Sequence, residues 1–179
     1  MVFNVFGKAD RRLIIYTLLK YFTAAGNDVL LMTDNPQYKR LIDGGLSFGE
    51  FKNTYIFVDS EVNKETITDI SYTSNDFDII IYDGCITDDA DIRIFIEGLV
   101  VDEYDAYLAN SNECFKIQMG KKVGGIPFKG FQYLNAERIE SYHQLIEIDP
   151  AITNKLAGFL AGPLAISERT FRKAVAKVK

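Results

Sequence analysis

Three aspartates, Asp34, Asp59 and Asp83, each lie at the C-terminal end of a short apolar run. Such runs are typical of buried parallel strands, and ligands of open α/β sheets bind at the C-terminal ends of those strands. Carboxylates grouped there could hold Mg²⁺ together with a phosphate. In the alternative interpretation the three acids are solvated or cap helices, because strands become polar where they enter loops.

A second group that could do chemistry lies at the start of the first predicted helix. Lys8, Arg11 and Arg12 follow Gly7 there, and they could hold an anion at the positive end of the helix dipole. Together with Asp83, these residues are the candidates for nucleotide or anion binding. The alternative is that the three basic residues are ordinary surface charge.

The elements that must position these residues alternate between strands and helices. The predicted strands are Val2–Phe6, Val29–Thr33, Tyr55–Asp59, Asp78–Asp83, Ala106–Ala109 and a short one near Phe131–Leu134. The predicted helices are Leu13–Ala25 closed by Gly26, Ala90–Leu99 introduced by Asp88, Asp89 and Asp91, a helix from Asp149-Pro150 to Gly162-Pro163, and a last helix from Ser167 to Lys179. This alternation predicts one α/β domain, residues 1–179, with a doubly wound, mostly parallel sheet flanked by helices and a two-helix tail at residues 149–179.

Three stretches in the N-terminal half carry a family resemblance. They are a strand, loop and helix ending in Ala25-Gly26, then Asp28-Val-Leu-Leu-Met-Thr-Asp-Asn-Pro-Gln37, then Asp76-Phe-Asp-Ile-Ile-Ile-Tyr-Asp-Gly84. The second is similar to a "V-L-L-I-D-x-D-P-Q" run and the third to a "Y-D-x-I-I-I-D" strand. In this order they resemble the ParA/MinD group of P-loop ATPases. The resemblance implies a P-loop NTPase-like fold in which Asp83 stands at the Walker B position.

The residues that such a family uses to hold ATP are missing from this sequence. A phosphate-binding loop needs several glycines, a lysine and a Ser or Thr hydroxyl, whereas Phe6–Arg12 contains one glycine and no hydroxyl. Thr33 and Asn35 stand where the family has carboxylates. Asp83 remains alone, and one carboxylate cannot organise phosphoryl transfer. The sequence therefore predicts no catalytic residue and no cofactor.

The sequence keeps the apolar strands and helices of the core but lacks the residues that bind and hydrolyse ATP, and this combination predicts a pseudo-ATPase. We expect a protein-interaction or scaffold component of a segregation, conjugation, pilus or secretion machine, whose partner is a ParA/MinD-type paralogue or a second copy of the chain. One alternative is a deviant Mg-dependent nucleotide or phosphate hydrolase that uses Asp83 with Asp34 or Asp59. Another is a DNA-binding regulator that acts through the C-terminus.

The last predicted helix places a narrow apolar stripe beside many basic residues. Its candidate contact residues for a partner, a membrane or DNA are Arg169, Phe171, Arg172, Lys173 and Lys177. Three interpretations are open: a docked terminal helix with a solvated basic face, a peripheral membrane or partner-binding helix, and the recognition helix of a helix-turn-helix. Gly162-Pro163 argues against the third, because proline disrupts a helix interior.

The composition limits the remaining classes of function. The net charge of −5 argues against a protein that coats nucleic acid with its whole surface. Two cysteines and the single His143 are too few for a disulfide framework or a histidine metal cluster. There is no apolar run of membrane-spanning length and no secretion signal, so we expect a cytoplasmic protein. The glycine-rich stretch 121–130 is expected to be a connector.

Overall fold

Eight strands in the described part of the chain form one sheet. The structure is a computed structural model that describes residues 1–42, 45–63, 65–84, 87, 89–98, 114–119, 132–134, 154, 157–158, 160–162 and 164–177. The strands are β1 Val2–Phe6, β2 Val29–Thr33, β3 Phe48–Phe51, β4 Thr54–Val58, β5 Ile79–Asp83, β6 Ile92–Glu97, β7 Cys114–Met119 and β8 Gln132–Leu134. The helices are α1 Arg12–Ala24 and α2 Glu168–Lys177.

The strand order is β3-β4-β2-β5-β1-β6-β7-β8. Every neighbouring pair is parallel except β3 and β4, which are antiparallel and joined by Lys52 and Asn53 with φ of 47° and 60°. The sheet grows outward in both directions from the central pair β5 and β1, as in doubly wound folds. The predicted α/β class with a mostly parallel sheet is confirmed.

Alternate residues of the central strands enter two separate apolar clusters. In β2 and β5, Leu31 and Ile81 face the cluster that contains α1, whereas Leu30 and Ile80 face the opposite cluster. Side chains alternate along a strand, so a strand covered on both faces must be apolar at every position. This explains why β2 and β5 appear in the sequence as continuous apolar runs.

Helix α1 is buried along most of its length. All residues from Arg12 to Phe22 are buried, because the sheet lies on one side of the helix and α2 packs on another. Even Lys20 is only 2% exposed, and burial lowers the pKa of its ammonium group. The helix ends as predicted: Gly26 has φ +84°, and Asn27 donates its backbone N–H to the Phe22 carbonyl.

The opposite face of the sheet has a different cover. Among the described residues, it is packed by the 3₁₀-helical segment Glu65–Ile70, through Ile67 and Ile70, and by aromatic rings. Tyr55, Tyr72 and Phe77 contact one another with ring centroids 5.3 to 5.8 Å apart. The predicted flanking α-helices are therefore found on one face only within the part of the chain described here.

The predicted helix at residues 90–99 is wrong, because Ile92–Glu97 is strand β6. Its isoleucines occur at every second position, and Ile94 and Ile96 enter the α1 cluster beside β1. Asp91, which was expected to begin a helix, instead accepts a hydrogen bond from the Val2 backbone N–H at 2.8 Å. Alternation at period two outweighs the acidic residues that precede it.

Strands β3 and β7 were not predicted at all, whereas β8 falls within the short strand expected near Phe131–Leu134. The predicted strand Ala106–Ala109, the glycine-rich stretch 121–130 and His143 lie outside the described residues. No helix of the described chain has the length and apolar character needed to cross a membrane.

The tail contains helical residues on both sides of a turn. Ala157, Leu160 and Ala161 are helical and buried, and Ala165 turns the chain with φ +52° before α2 begins. The Ser167 hydroxyl then accepts the Thr170 backbone N–H at 3.2 Å and caps α2, which begins one residue after the predicted start at Ser167. The expected start of the preceding helix, Asp149-Pro150, lies outside the described residues.

Candidate functional site

The guanidinium group of Arg11 joins three segments at the C-terminal ends of the central strands. It donates to the Gly7 carbonyl after β1 at 2.7 Å, to Asp34 Oδ1 after β2 at 3.2 Å, and to Asp83 Oδ1 at the end of β5. We call these four residues the arginine junction. The predicted residues Gly7, Arg11, Asp34 and Asp83 therefore meet, with the arginine as the shared cation.

Asp83 is the most buried acid of the junction, with 1% of its surface exposed. Its second oxygen, Oδ2, accepts the hydroxyl of Thr33 at 2.7 Å. Burial raises the pKa of Asp83 above its ordinary value, although Arg11 and Thr33 both favour the ionised form. Burial would lower the pKa of Arg11, but the attraction of Asp83 raises it overall, so the arginine stays charged.

The loop between β1 and α1 is tied to the neighbouring strand β6. Lys8 donates its backbone N–H to the buried Glu97 carboxylate at 2.9 Å, and Ala9 donates to the Ile96 carbonyl at 3.4 Å. Gly7 has φ +112°, and a Cβ there would lie 2.0 Å from the Ile96 oxygen, so only glycine fits. The backbone N–H groups of Lys8 and Ala9 could otherwise converge on an anion, but both already donate to residues of β6.

Arg12 belongs to a separate ion pair beside the junction. Its Nε donates to Asp10 Oδ1 at 2.9 Å, and its Nη1 donates to Gln37 Oε1 at 2.8 Å. The hydrogen bonds that Arg12 donates to Asp10 are the main cause that raises the pKa of Arg12. For Asp10, burial raises the pKa, but Arg12 outweighs it and lowers the pKa overall. Arg12, like Arg11, is therefore paired with an acidic side chain of the same chain.

Thr33 and Asn35, which stand where the resembled family has carboxylates, have local structural contacts. Thr33 donates to Asp83, and its Oγ1 accepts the Asn35 backbone N–H at 3.1 Å. The Asn35 side chain accepts the Gln37 N–H at 3.0 Å and so caps the 3₁₀ segment Pro36–Arg40. Both residues hold the end of β2 in place next to the junction.

A pocket of about 320 Å³ opens beside the junction. It is lined by Lys8, Ala9, Asp10, Arg11, Arg12, Asn35, Gln37 and Asp83. Tyr38 lies near Asp83 and is fully buried, and its hydroxyl has no hydrogen-bond partner in the described structure. Burial raises the pKa of Tyr38 well above its ordinary value, and the nearby Asp83 adds to that effect.

The third acid of the predicted magnesium trio, Asp59, is used in a local turn. Its carboxylate accepts the Glu61 backbone N–H at 3.0 Å, whereas Asp34 and Asp83 share Arg11. Within the described residues, no group of three His, Cys, Asp or Glu side chains is placed to hold a metal ion. The arrangement around Asp83 is satisfied by a guanidinium group and a hydroxyl.

The C-terminal contact candidates divide into buried and exposed residues. Phe171, a predicted contact for a partner, a membrane or DNA, is 0% exposed and stacks on Tyr21 of α1 with centroids 4.6 Å apart, so its ring is not at the surface while α2 is docked. Arg169, Arg172 and Lys173 are exposed. The side chain of Lys177 lies outside the described residues.

The comparisons with known proteins do not identify the chain. No protein-family model matches it, and no curated protein matches it. The ParA/MinD resemblance therefore stays a prediction, and the function must be argued from the geometry above.

Proposed function

We propose that this chain is a ParA/MinD-like domain without ATP chemistry that acts through protein–protein contacts as a scaffold in a cytoplasmic segregation, conjugation, pilus or secretion machine. One observation carries the proposal. The Arg11 guanidinium fills the space between Gly7, Asp34 and Asp83, where the resemblance places the nucleotide and its metal.

The hydrogen-bond inventory supports this interpretation. A triphosphate needs backbone N–H groups that converge on it and a magnesium ion held near a carboxylate. The Lys8 and Ala9 amides donate to β6, and both Asp83 oxygens accept hydrogen bonds. A nucleotide would have to break a buried ion pair, which costs about 3–5 kcal/mol when one partner is left behind.

The same inventory weighs against the hydrolase alternative. A magnesium ion at Asp83 would have to displace Arg11 from the buried carboxylate, and the described residues offer no third acid beside Asp34 to complete its coordination. The partner in our proposal is a paralogue with working ATP chemistry or a second copy of this chain. The support for that partner is the family resemblance.

Nucleotide titration tests the proposal directly. We expect no heat of binding and no shift in unfolding temperature with ATP and Mg²⁺, whereas a ligand at one hundred times its dissociation constant would stabilise the protein by about 2.7 kcal/mol. Binding accompanied by hydrolysis that Asp83→Ala abolishes would overturn it. Capture of partners from the host should also be unchanged after ATP is removed enzymatically, because the proposed contacts need no nucleotide.

A further inference from the structure

Helix α2 presents two chemically different sides. The inner side is packed: Phe171 stacks on Tyr21, and the half-buried Ala174 contacts the same apolar cluster. The described part of its apolar stripe, Phe171 and Ala174, is therefore covered by the core cluster and is not available to a ligand. Whatever binds α2 in this docked state must use its outer side.

The outer side of α2 is exposed and mainly basic. Arg172 donates to Glu168 at 2.7 Å, one helical turn earlier. Arg169 and Lys173 lie four residues apart and are exposed, and they make no hydrogen bond or ion pair within the described residues. We call Arg169, Arg172 and Lys173 the basic face. It carries two positive charges without an internal acid.

The basic face contrasts with the charge of the rest of the chain. Residues 149–179 contain six Lys and Arg against two Asp and Glu, whereas residues 1–148 contain 14 Lys and Arg against 23 Asp and Glu. A local basic surface on an acidic protein attracts an acidic partner segment. That segment must be short, because a long one would also lie against the acidic surface of the rest of the chain and be repelled.

A membrane surface fits the basic face poorly. Electrostatic attraction to anionic lipid contributes about 1 kcal/mol per Lys or Arg near the surface. Stable attachment of an amphipathic helix also needs buried apolar area, and here Phe171 is already inside the protein. The face is therefore too weak to hold a membrane while α2 stays docked.

A nucleic acid fits poorly for a related reason. Proteins that bind DNA through its phosphates commonly neutralise about 6–10 of them, and three cations beside Glu168 provide fewer contacts. A long polyanion would also extend over the acidic remainder of the chain and be repelled. A short acidic stretch on a protein matches the size of the face without that penalty.

We propose that the basic face of α2 is the docking surface for an acidic segment of a protein partner. The inference specifies the partner surface of the proposed scaffold and rests on that function. Recognition is electrostatic and needs no change in α2, because the three side chains are already exposed and the helix is held by Phe171.

Fluorescence anisotropy with a labelled octaglutamate peptide at low salt tests this docking surface. We expect the full chain to bind octaglutamate and not octaglutamine, and the charge reversal Arg169→Glu with Lys173→Glu to weaken binding about tenfold or more. The matched control reverses Lys39 and Arg40, two neighbouring cations on another part of the surface, and should leave binding within about twofold.

Several outcomes would overturn the inference. They are no binding of octaglutamate, an equal loss in the Lys39 and Arg40 control, or tighter binding of duplex DNA or phosphatidylserine vesicles than of the peptide. Circular dichroism and a thermal melt establish that each variant is folded, which is expected because the changed residues lie at the surface. ATP binding in the earlier titration would refute the scaffold proposal without changing the peptide result, so the two can fail separately.

Discussion

The arginine junction and the basic face each place basic side chains at a helix, yet those side chains differ in what surrounds them. Arg11 lies between two acids and a carbonyl, and Asp83 in that set is 1% exposed. Arg169 and Lys173 lie in solvent with no acid of the described chain as a partner. The first group holds three strand ends together, and the second is available to another molecule.

Basic residues in a sequence therefore indicate a binding site only when the fold leaves them without internal partners. A buried ion pair is lost at high cost if one member is removed, whereas exposed pairs contribute little to stability. Removing single side chains from each region and measuring the free energy of unfolding tests this contrast.

The largest effect is expected for Arg11→Ala. The change leaves the buried Asp83 carboxylate without its counter-charge, so the free energy of unfolding should fall by about 3–5 kcal/mol, measured by denaturant titration at neutral pH. Arg172→Ala is the matched control on the basic face. It removes an exposed pair with Glu168 and should cost about 0.3–0.5 kcal/mol.

The cost of Arg11→Ala should also depend on pH. Burial already raises the pKa of Asp83 above its ordinary value of 3.8, and loss of Arg11 removes an interaction that opposes this rise. A carboxyl whose folded pKa is raised binds its proton more tightly in the folded state, so stability is lost as pH rises through that range. The deficit should be smaller near that ordinary value than at neutral pH, and equal losses at both would contradict the junction's role.

The next largest effect is expected for Phe171→Ala, which tests the inner side of α2. Removing a fully buried aromatic ring that stacks on Tyr21 should lower the free energy of unfolding by about 3–4 kcal/mol. Arg169→Ala on the outer side of the same helix should stay within about 0.5 kcal/mol. If both variants lost the same stability, the division of α2 into a packed and a free side would be wrong.

The central strands could be predicted from the sequence because burial on both faces leaves a local signal. The apolar runs of β1, β2 and β5 matched the structure closely, since no polar residue is tolerated at most of their positions. Strand β6 was missed because the acidic residues before it favour a helix start, although its isoleucines alternate; its buried Glu97 accepts the Lys8 amide. That contact depends on the neighbouring strand and has no trace in the local sequence.

The candidate site was predicted residue by residue but not as an arrangement. Gly7, Arg11 and Asp83 were all candidates, yet the pairing of Arg11 with Asp83 spans 72 residues and follows from the adjacency of β1 and β5. The same holds for Thr33, which pairs with Asp83 only because β2 lies on the other side of β5. The order of the strands in the sheet, which no local sequence pattern encodes, therefore decides that Arg11 pairs with an acid of the same chain.

A smaller effect is expected for Thr33→Val, which keeps the shape of the side chain and removes its hydroxyl. The charged Asp83 carboxylate then loses the hydrogen bond from the Thr33 hydroxyl, so the free energy of unfolding should fall by about 1.5–3 kcal/mol. Thr68→Val is a suitable control, since Thr68 is exposed and its hydroxyl donates only to the carbonyl of Glu65. A cost for Thr33→Val no greater than for Thr68→Val would show that the junction does not depend on this bond.

The smallest effect, and one of opposite sign, is expected for Tyr38→Phe. The Tyr38 hydroxyl is buried without a hydrogen-bond partner in the described structure, although Asp83 lies near enough to influence its pKa. Removing an unsatisfied buried hydroxyl relieves its desolvation penalty of about 1–3 kcal/mol, so the variant should be as stable as the natural chain or more stable. Denaturant titration of Tyr38→Phe beside Thr33→Val then separates a hydroxyl that supports the junction from one that does not. If Tyr38→Phe destabilised the protein as much as Thr33→Val, the phenol would have a hydrogen-bond partner, and the junction would extend beyond the four residues that define it.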